Sequence, residues 1–164
     1  MKILTAAEIG AVDRRTAGEF KISVESLMEA AGGAVAAFCL RQYPEAGRIT
    51  ALCGKGNNGG DGLVAARVLA KADRTVRVVL LGRGSELKGE AAAALARLRL
   101  EAPDISLVEV MDKPGLAGVL DGAELLIDAV VGTGFKPPLR GLATAVRGLL
   151  GEMKVPVVAV DLPS

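Results

Sequence analysis

Three segments of the sequence hold the residues whose types and spacing suit chemistry. The first, GKGNNGGDG at 54–62, sets two carboxamides, Asn57 and Asn58, and the carboxylate of Asp61 among closely spaced glycines. Carboxamides beside exposed backbone amides can bind a polar ligand. Glycine and asparagine also tolerate the positive φ of a tight turn, so a plain turn with Asp61 as a helix N-cap is the alternative.

This first segment also matches the GxGxxG dinucleotide fingerprint in form. We expect Asp61 in the first turn of the following helix, where its charge would repel a phosphate. The second predicted strand ends in Gly82 and Arg83 rather than in an acid that could bind a ribose. An ordinary NAD(P)-dependent oxidoreductase is therefore disfavoured, although Arg83 is a candidate contact for a 2′-phosphate.

The second segment, LLIDAVVGTGFKPPLRG, contains Asp128 in an otherwise apolar run. A buried carboxylate is costly unless it is paired, hydrogen-bonded or bound to a cation, so Asp128 needs a partner. It either serves chemistry or caps neighbouring loop amides. The loop after it offers backbone amides, a cation and a stiff wall that suit a phosphate-bearing ligand, or it is a surface connection. Its residues are Gly132, Thr133, Gly134, Phe135, Lys136, Pro137 and Pro138.

The third segment, VVAVDLPS, places Asp161 and Ser164 directly after an apolar run. Together, Asn58, Asp128 and Ser164 offer only hard oxygen donors with one negative charge. That set suits an alkali cation and is a poor one for zinc.

The composition excludes several classes of function. The 164 residues contain no histidine, which removes Ser-His and Cys-His nucleophile pairs and His-bound metals. A net charge of +1 and 2% aromatic residues predict no nucleic acid partner and no membrane partner. Two cysteines without CxxC spacing and the lack of a leader or a spanning segment predict a cytoplasmic protein.

Helical and strand patterns alternate along the chain. A capping box at Thr5 predicts a helix over 6–19, and Ser23 can cap a second helix. Apolar β-branched runs then predict strands at 48–53, 75–81, 105–110, 124–130 and 155–160, with helices between them near 62–72, 88–100, 113–120 and 142–152.

This alternation predicts an α/β fold, a Rossmann-like three-layer α/β/α sandwich with a mainly parallel sheet preceded by two N-terminal helices. The three segments then follow strand ends and converge on one crevice. We expect a single domain over 1–164 that is incomplete at its C-terminus, because the sequence stops directly after a strand.

The runs CGKGNNGGDGLVAARVLA, LLIDAVVGTGFKPPLRG and VVAVDLPS, with the helix ISVESLMEAAG, resemble the YjeF N-terminal domain family, the NAD(P)H-hydrate epimerases. The resemblance spans the chain from about residue 5. It implies a commonly dimeric enzyme that interconverts the R and S epimers of hydrated NADH and NADPH, here NADHX and NADPHX. It also implies an ADP- or ATP-dependent dehydratase, fused or separate, as the companion enzyme.

Carried over residue by residue, the resemblance implies two sets of functional residues. Potassium would be bound by Asn58, Asp128 and Ser164. Substrate would contact Asn57, Asn58, Gly59, Gly60, Asp61, Gly132, Thr133, Gly134, Phe135, Lys136, Pro137, Pro138 and Asp161.

Epimerisation breaks and remakes a C–O bond or opens the ring, so it needs a proton-transferring group, and without histidine the candidates are Asp128, Asp161 and Lys136. Our hypothesis is that Asp128 is the acid/base and that Lys136 stabilises developing negative charge or a phosphate. The alternative function is a non-catalytic nucleotide-binding or interaction scaffold of the same fold. The sequence does not distinguish NADHX from NADPHX as the preferred substrate.

Overall fold

The computed structural model describes residues 22–164 together with Glu8 and Val12. The capping box at Thr5 and nearly all of the helix predicted over 6–19 lie outside the described residues. The second predicted helix is confirmed, since the Ser23 side chain accepts a hydrogen bond from the amide of Ser26 at 3.0 Å.

Four α-helices and five strands form the described fold. The helices are α1 (Val24–Gln42), α2 (Asn57–Lys71), α3 (Gly89–Glu101) and α4 (Leu142–Glu152). The strands are β1 (Arg48–Cys53), β2 (Thr75–Leu81), β3 (Ser106–Val110), β4 (Leu125–Ala129) and β5 (Val157–Ala159). Every strand matches a predicted one, with bounds differing by at most two residues.

The strands form one parallel sheet in the order β3-β2-β1-β4-β5. Chain order reverses between β1 and β4, which makes their carboxyl ends the switch point where open α/β sheets bind ligands. The register pairs Cys53 at the end of β1 with Ala129 at the end of β4. The predicted α/β fold is confirmed.

Helices cover both faces of the sheet, as its apolar strands require. Alternate strand residues such as Ala51, Val78 and Ile127 pack with α1, α2 and α3. Their neighbours in sequence, Leu52 and Val79 among them, pack against α4 and the β3–β4 connection. These two apolar clusters fix the helices against the sheet, and so fix the ends of the loops at its carboxyl edge.

The helix predicted over 113–120 is wrong. The structure has only a 3₁₀ helix, Pro114–Leu116, followed by turns. Gly118 and Gly122 adopt φ of 69° and 75°, a left-handed conformation that ends regular helix. Leu116, Val119 and Leu120 are buried all the same, so the segment covers its face of the sheet without an α-helix.

The helix predicted to begin near residue 62 begins five residues earlier, with Gly56 as its N-cap. The amide of Gly60 closes the first turn on the carbonyl of Gly56 at 3.0 Å. Asp61 is therefore neither in the first turn, where it was predicted to repel a phosphate, nor the N-cap of the alternative interpretation, so both predicted positions were wrong. Asparagine and glycine are poor helix formers, so tertiary packing overrides their propensity here.

No helix among the described residues is long and apolar enough to cross a membrane.

Candidate functional site

The start of α2 is packed tightly onto the carboxyl ends of β1 and β4. A Cβ on Gly54 would overlap the carbonyl of Val130, and one on Gly59 would overlap the carbonyl of Gly54. A Cβ on Gly62 would lie 2.5 Å from Cβ of Ala129. Gly54 and Gly59 let backbone meet backbone, and Gly62 leaves room for the side chains at the ends of β1 and β4, so these glycines set the position of the helix start rather than contributing chemistry.

Asn58 connects this helix start to the loop after β4. Its side-chain Nδ2 donates to the carbonyl of Val131 at 2.8 Å. Its Oδ1 is buried and has no hydrogen-bond partner among the described residues. A buried carboxamide oxygen without a donor costs free energy, so this atom needs an electropositive partner from outside the described residues.

Asp128 is 1% exposed at the end of β4. Three donors reach its carboxylate: the amide of Ser164 at 2.7 Å, the hydroxyl of Ser164 at 2.7 Å and the amide of Val130 at 3.3 Å. No lysine or arginine within the described part forms an ion pair with it. The loop-capping role considered for this residue is thus present, and its negative charge is hydrogen-bonded but not neutralised.

Asp161 joins the loop after β5 to the loop after β4. Its Oδ2 accepts a hydrogen bond from the amide of Thr133 at 2.6 Å. A Cβ on Gly132 would lie 2.8 Å from the same oxygen and 3.1 Å from Cβ of Asn58. The three segments singled out in the sequence therefore meet at one edge of the sheet, and unlike Asp128, Asp161 is exposed.

The other predicted substrate residues lie around this meeting point in different settings. Asn57 is exposed at the first position of α2, and Asp61 is half-buried a turn further on. Gly60 faces elsewhere, since a Cβ there would lie 2.6 Å from Cε of Met28 on α1. The structure therefore does not bring Gly60 together with the loops after β4 and β5.

The loop after Thr133 is largely exposed. The amide of Phe135 bonds the carbonyl of Gly132 at 2.8 Å, and the Pro137-Pro138 peptide bond is cis. Lys136 is exposed, and its ammonium has no hydrogen bond or ion pair with the described residues. The lysine can therefore reach a ligand without first leaving a partner.

Thiol chemistry is absent from this site. Cys39 and Cys53 are both buried and free. Burial raises the pKa of the Cys39 thiol to about 11 and that of Cys53 to about 12, so neither forms a thiolate near neutral pH.

The donors that meet here are a carboxamide oxygen, a carboxylate and a hydroxyl. No group of three or more Cys, Asp and Glu side chains that could hold a metal ion occurs among the residues described. A cation at this edge would be bound by Asn58, Asp128 and Ser164, with few charges and oxygen atoms only. Such a set fits a monovalent cation better than a transition metal.

Sequence reasoning missed two parts of the site. Gly54 binds the β4 end directly, its amide donating to the carbonyl of Ala129 at 3.0 Å. The Val131 carbonyl is the partner of Asn58. Gly54 had a signal, because it is a glycine placed directly after a buried strand. The carbonyl had none, since every residue carries one.

Comparison with known proteins gives consistent matches. Residues 24–164 match the family described as YjeF-related protein N-terminus. The chain is 38% identical to the bifunctional NAD(P)H-hydrate repair enzyme Nnr of Moorella thermoacetica, covering all of this chain and 32% of the relative. It is 36% identical to the NAD(P)H-hydrate epimerase of Anopheles darlingi, covering all of this chain and 70% of the relative.

A solved structure agrees with the fold. The crystal structure of the yeast protein ynu0 superposes with a TM-score of 0.84 at 27% identity, over all of this chain and 71% of the yeast chain. The chain thus spans about a third of the bifunctional relative and about 70% of the shorter ones.

Proposed function

The chain belongs to the family of YjeF-related N-terminal domains, and on that premise we propose that it interconverts the R and S epimers of hydrated NADH and NADPH. The single observation that supports this most is the meeting of Asn58, Asp128 and Asp161 at the β1–β4 switch point. The names of the relatives, NAD(P)H-hydrate epimerase and repair enzyme Nnr, point to the same reaction.

The substrate is proposed to lie across the carboxyl edge of the sheet. Asn57, Gly134 and Lys136 are exposed there, and the lysine is proposed to meet a phosphate, whereas the amide of Thr133 already donates to Asp161. We assign Gly59 to shaping this edge, because it is buried against the backbone of Gly54. Asp61 remains a proposed substrate contact, and Gly60 packs against Met28 of α1 instead.

Proton transfer is assigned to Asp161 rather than to Asp128. The hydrated ring carbon carries a hydroxyl, and either route to the other epimer needs a proton transfer at that oxygen. C–O cleavage adds a proton to the hydroxyl, so that water leaves and an iminium remains, and water then adds to the other face with loss of a proton. Ring opening removes the hydroxyl proton as the C–N bond breaks, which leaves an aldehyde and a protonated nitrogen until the ring closes again. The exposed carboxyl group of Asp161 can reach such a ligand, whereas Asp128 is 1% exposed and already accepts three hydrogen bonds. Asp128 is instead the anchor of the Ser164 loop.

Potassium is the proposed cofactor, held by Asn58, Asp128 and Ser164. The unpartnered buried Oδ1 of Asn58 and the unneutralised carboxylate of Asp128 fit such an ion. Bound there, potassium would supply a positive charge that offsets Asp128 and attracts a substrate oxygen.

The remaining expectations are part of this proposal. We propose a single domain over 1–164, a homodimer, a cytoplasmic location and an ADP- or ATP-dependent dehydratase as companion. Support for the companion comes from the bifunctional relative, of which this chain matches 32%. The alternative of a non-catalytic scaffold is not favoured by the relatives' names.

The test supplies the R epimer of hydrated NADH to the purified protein, with an S-specific dehydratase, its nucleotide and potassium chloride. We expect NADH to form faster than spontaneous epimerisation allows. A spontaneous rate from a folded, potassium-loaded protein would overturn the proposal in favour of the scaffold.

A matched pair of glycine variants links that activity to the site. Gly132→Ala places a methyl group 2.8 Å from Oδ2 of Asp161, so we expect the epimerisation rate to fall about tenfold, as for a misplaced reacting group. Gly148→Ala, on α4 with open space around it, serves as the control and should match the wild type. Equal rates for both variants would contradict the placement of Asp161.

A further inference from the structure

A lysine and a glutamate meet at the carboxyl edge on the side of the sheet away from β4 and β5. Nζ of Lys55, in the loop after β1, lies 2.9 Å from Oε2 of Glu86, in the 3₁₀ helix that follows β2. Both side chains are about half exposed. Exposed ion pairs add little to the free energy of unfolding. This pair therefore contributes little to stability, and its residues are available for another role.

The side chain of Lys55 packs against Gly82, which comes directly after β2. The φ of Gly82 is 139°, which side-chain-bearing residues rarely adopt. A Cβ there would lie 2.6 Å from Cδ of Lys55 and 3.3 Å from Oε2 of Glu86. The backbone at the end of β2 thus leaves room for the lysine stem and fixes where its ammonium stands.

Lys55, Arg83 and Glu86 form a corner of the carboxyl edge in which positive charges outnumber negative ones. The pKa of Glu86 lies below its usual range, chiefly because Lys55 donates a hydrogen bond to it and attracts its charge, with the amide and charge of Arg83 adding to the effect. Arg83 itself forms no ion pair within the described part. The nearby Glu109 is occupied by the amide of Gly84 at 2.9 Å and by Arg99 at 3.7 Å.

The Glu86 carboxylate therefore occupies an anion position beside Lys55, and the charge of Arg83 acts on it from beyond ion-pair distance. Its place relative to the catalytic edge follows from strand order. Because β2 and β4 flank β1, this corner and the loop after β4, whose Thr133 amide binds Asp161, are separated by about two strand spacings, or about 10 Å. A dinucleotide across the switch point can span that distance, with its adenosine ribose at the end of the second strand.

We propose that Lys55, with Arg83, binds the 2′-phosphate of the phosphorylated substrate NADPHX, and that the Glu86 carboxylate holds this position when no phosphate is bound. The inference rests on the proposed function, because it assumes a dinucleotide substrate whose hydrated ring lies near Asp161. On binding, the phosphate dianion replaces the single carboxylate beside Lys55, the exposed side chain of Arg83 turns towards it, and Glu86 turns to solvent.

The test measures the ratio of kcat/KM for NADPHX to kcat/KM for NADHX in the wild type, Lys55→Met and Glu86→Gln. Loss of Lys55 should lower this ratio about fivefold, as expected for one partly exposed charge-assisted contact. Glu86→Gln should raise the ratio, because the competing carboxylate is gone. Lys154→Met, at an exposed lysine before β5, is the matched control and should keep the wild-type ratio. A ratio unchanged by Lys55→Met overturns the inference.

A second readout separates this inference from the proposed reaction. Titration of the same proteins with adenosine 2′,5′-bisphosphate and with AMP requires no epimerase activity. We expect the bisphosphate to bind more tightly to the wild type, and Lys55→Met to abolish that preference. The preference without any epimerisation would overturn only the proposed reaction, whereas equal binding of both probes by the wild type would overturn the 2′-phosphate site.

Discussion

Arg67 and Asp128 are two buried charges that the fold treats differently. Arg67, 6% exposed on α2, is paired with Glu29 on α1 and with Glu101 on α3, the latter at 2.6 Å. Asp128, 1% exposed on β4, receives only amides and a hydroxyl. The paired charge fastens three helices to one another. The unneutralised charge stands at the edge where the loops meet, so it marks the place that can attract a cation.

The largest effect on stability is expected when the paired charge, Arg67, is removed. Arg67→Met removes a cation that two carboxylates share, while Lys71 and Arg97 remain beside them. We expect the free energy of unfolding to fall by about 2–3 kcal/mol in urea titrations. Arg147→Met, at an exposed position of α4, should change it by less than about 0.5 kcal/mol. Lost epimerisation in folded Arg67→Met would contradict the purely structural role.

The next effect concerns the unneutralised side. Asp128→Asn keeps the shape but turns one acceptor into a donor facing Ser164, so we expect a loss of about 1–2 kcal/mol of unfolding free energy. The wild-type melting temperature should rise when potassium chloride replaces tetramethylammonium chloride at equal ionic strength, and the variant should show no such rise. The same potassium response in both proteins would rule out Asp128 as a ligand.

The smallest effect is a pH dependence on the paired side. The pKa of Glu101 is lowered, first by its hydrogen bond from Lys71 and then by that from Arg67. A carboxyl whose folded pKa is below its unfolded value of 4.5 adds stability above pH 4.5 and loses it as the pH falls through the folded pKa. Glu101→Gln should therefore be less stable than the wild type at pH 7, with the difference shrinking below pH 4.5. A constant difference in acid unfolding curves would contradict this.

The sequence predicted the elements better than it predicted their contacts. Apolar runs located β1 and β2 to the residue, because burial on both faces leaves an unmistakable composition. The helix expected over 113–120 failed because Gly118 and Gly122 end helices that apolar spacing alone favours. The early start of α2 was missed because close backbone packing at Gly59 decides it, and packing has no local signal.

For the candidate site, too, the sequence predicted the residue types but not their contacts. The oxygen-only character of Asn58, Asp128 and Ser164 followed from residue types alone. Which atoms pair did not: the bonds from Ser164 to Asp128 and from Thr133 to Asp161 join residues 36 and 28 positions apart. The ion pairs of Arg67 with Glu29 and Glu101 were also missed, because a single arginine inside the apolar run LVAARVLAK predicts a surface position.

The two walls of the candidate site, the start of α2 and the loop after β5, differ in how firmly they are held. Glycines press the start of α2 onto β1 and β4, whereas Asp161 and Ser164 follow β5, three residues long, partly exposed and paired in the described sheet only with β4. Local opening of β5 would release Asp161, the proposed proton-transferring group, together with Ser164, one of the three proposed cation ligands, while the rest of the core stayed folded. A bound ligand that bridges the walls would have to suppress this opening, so part of its binding free energy would be spent on ordering β5.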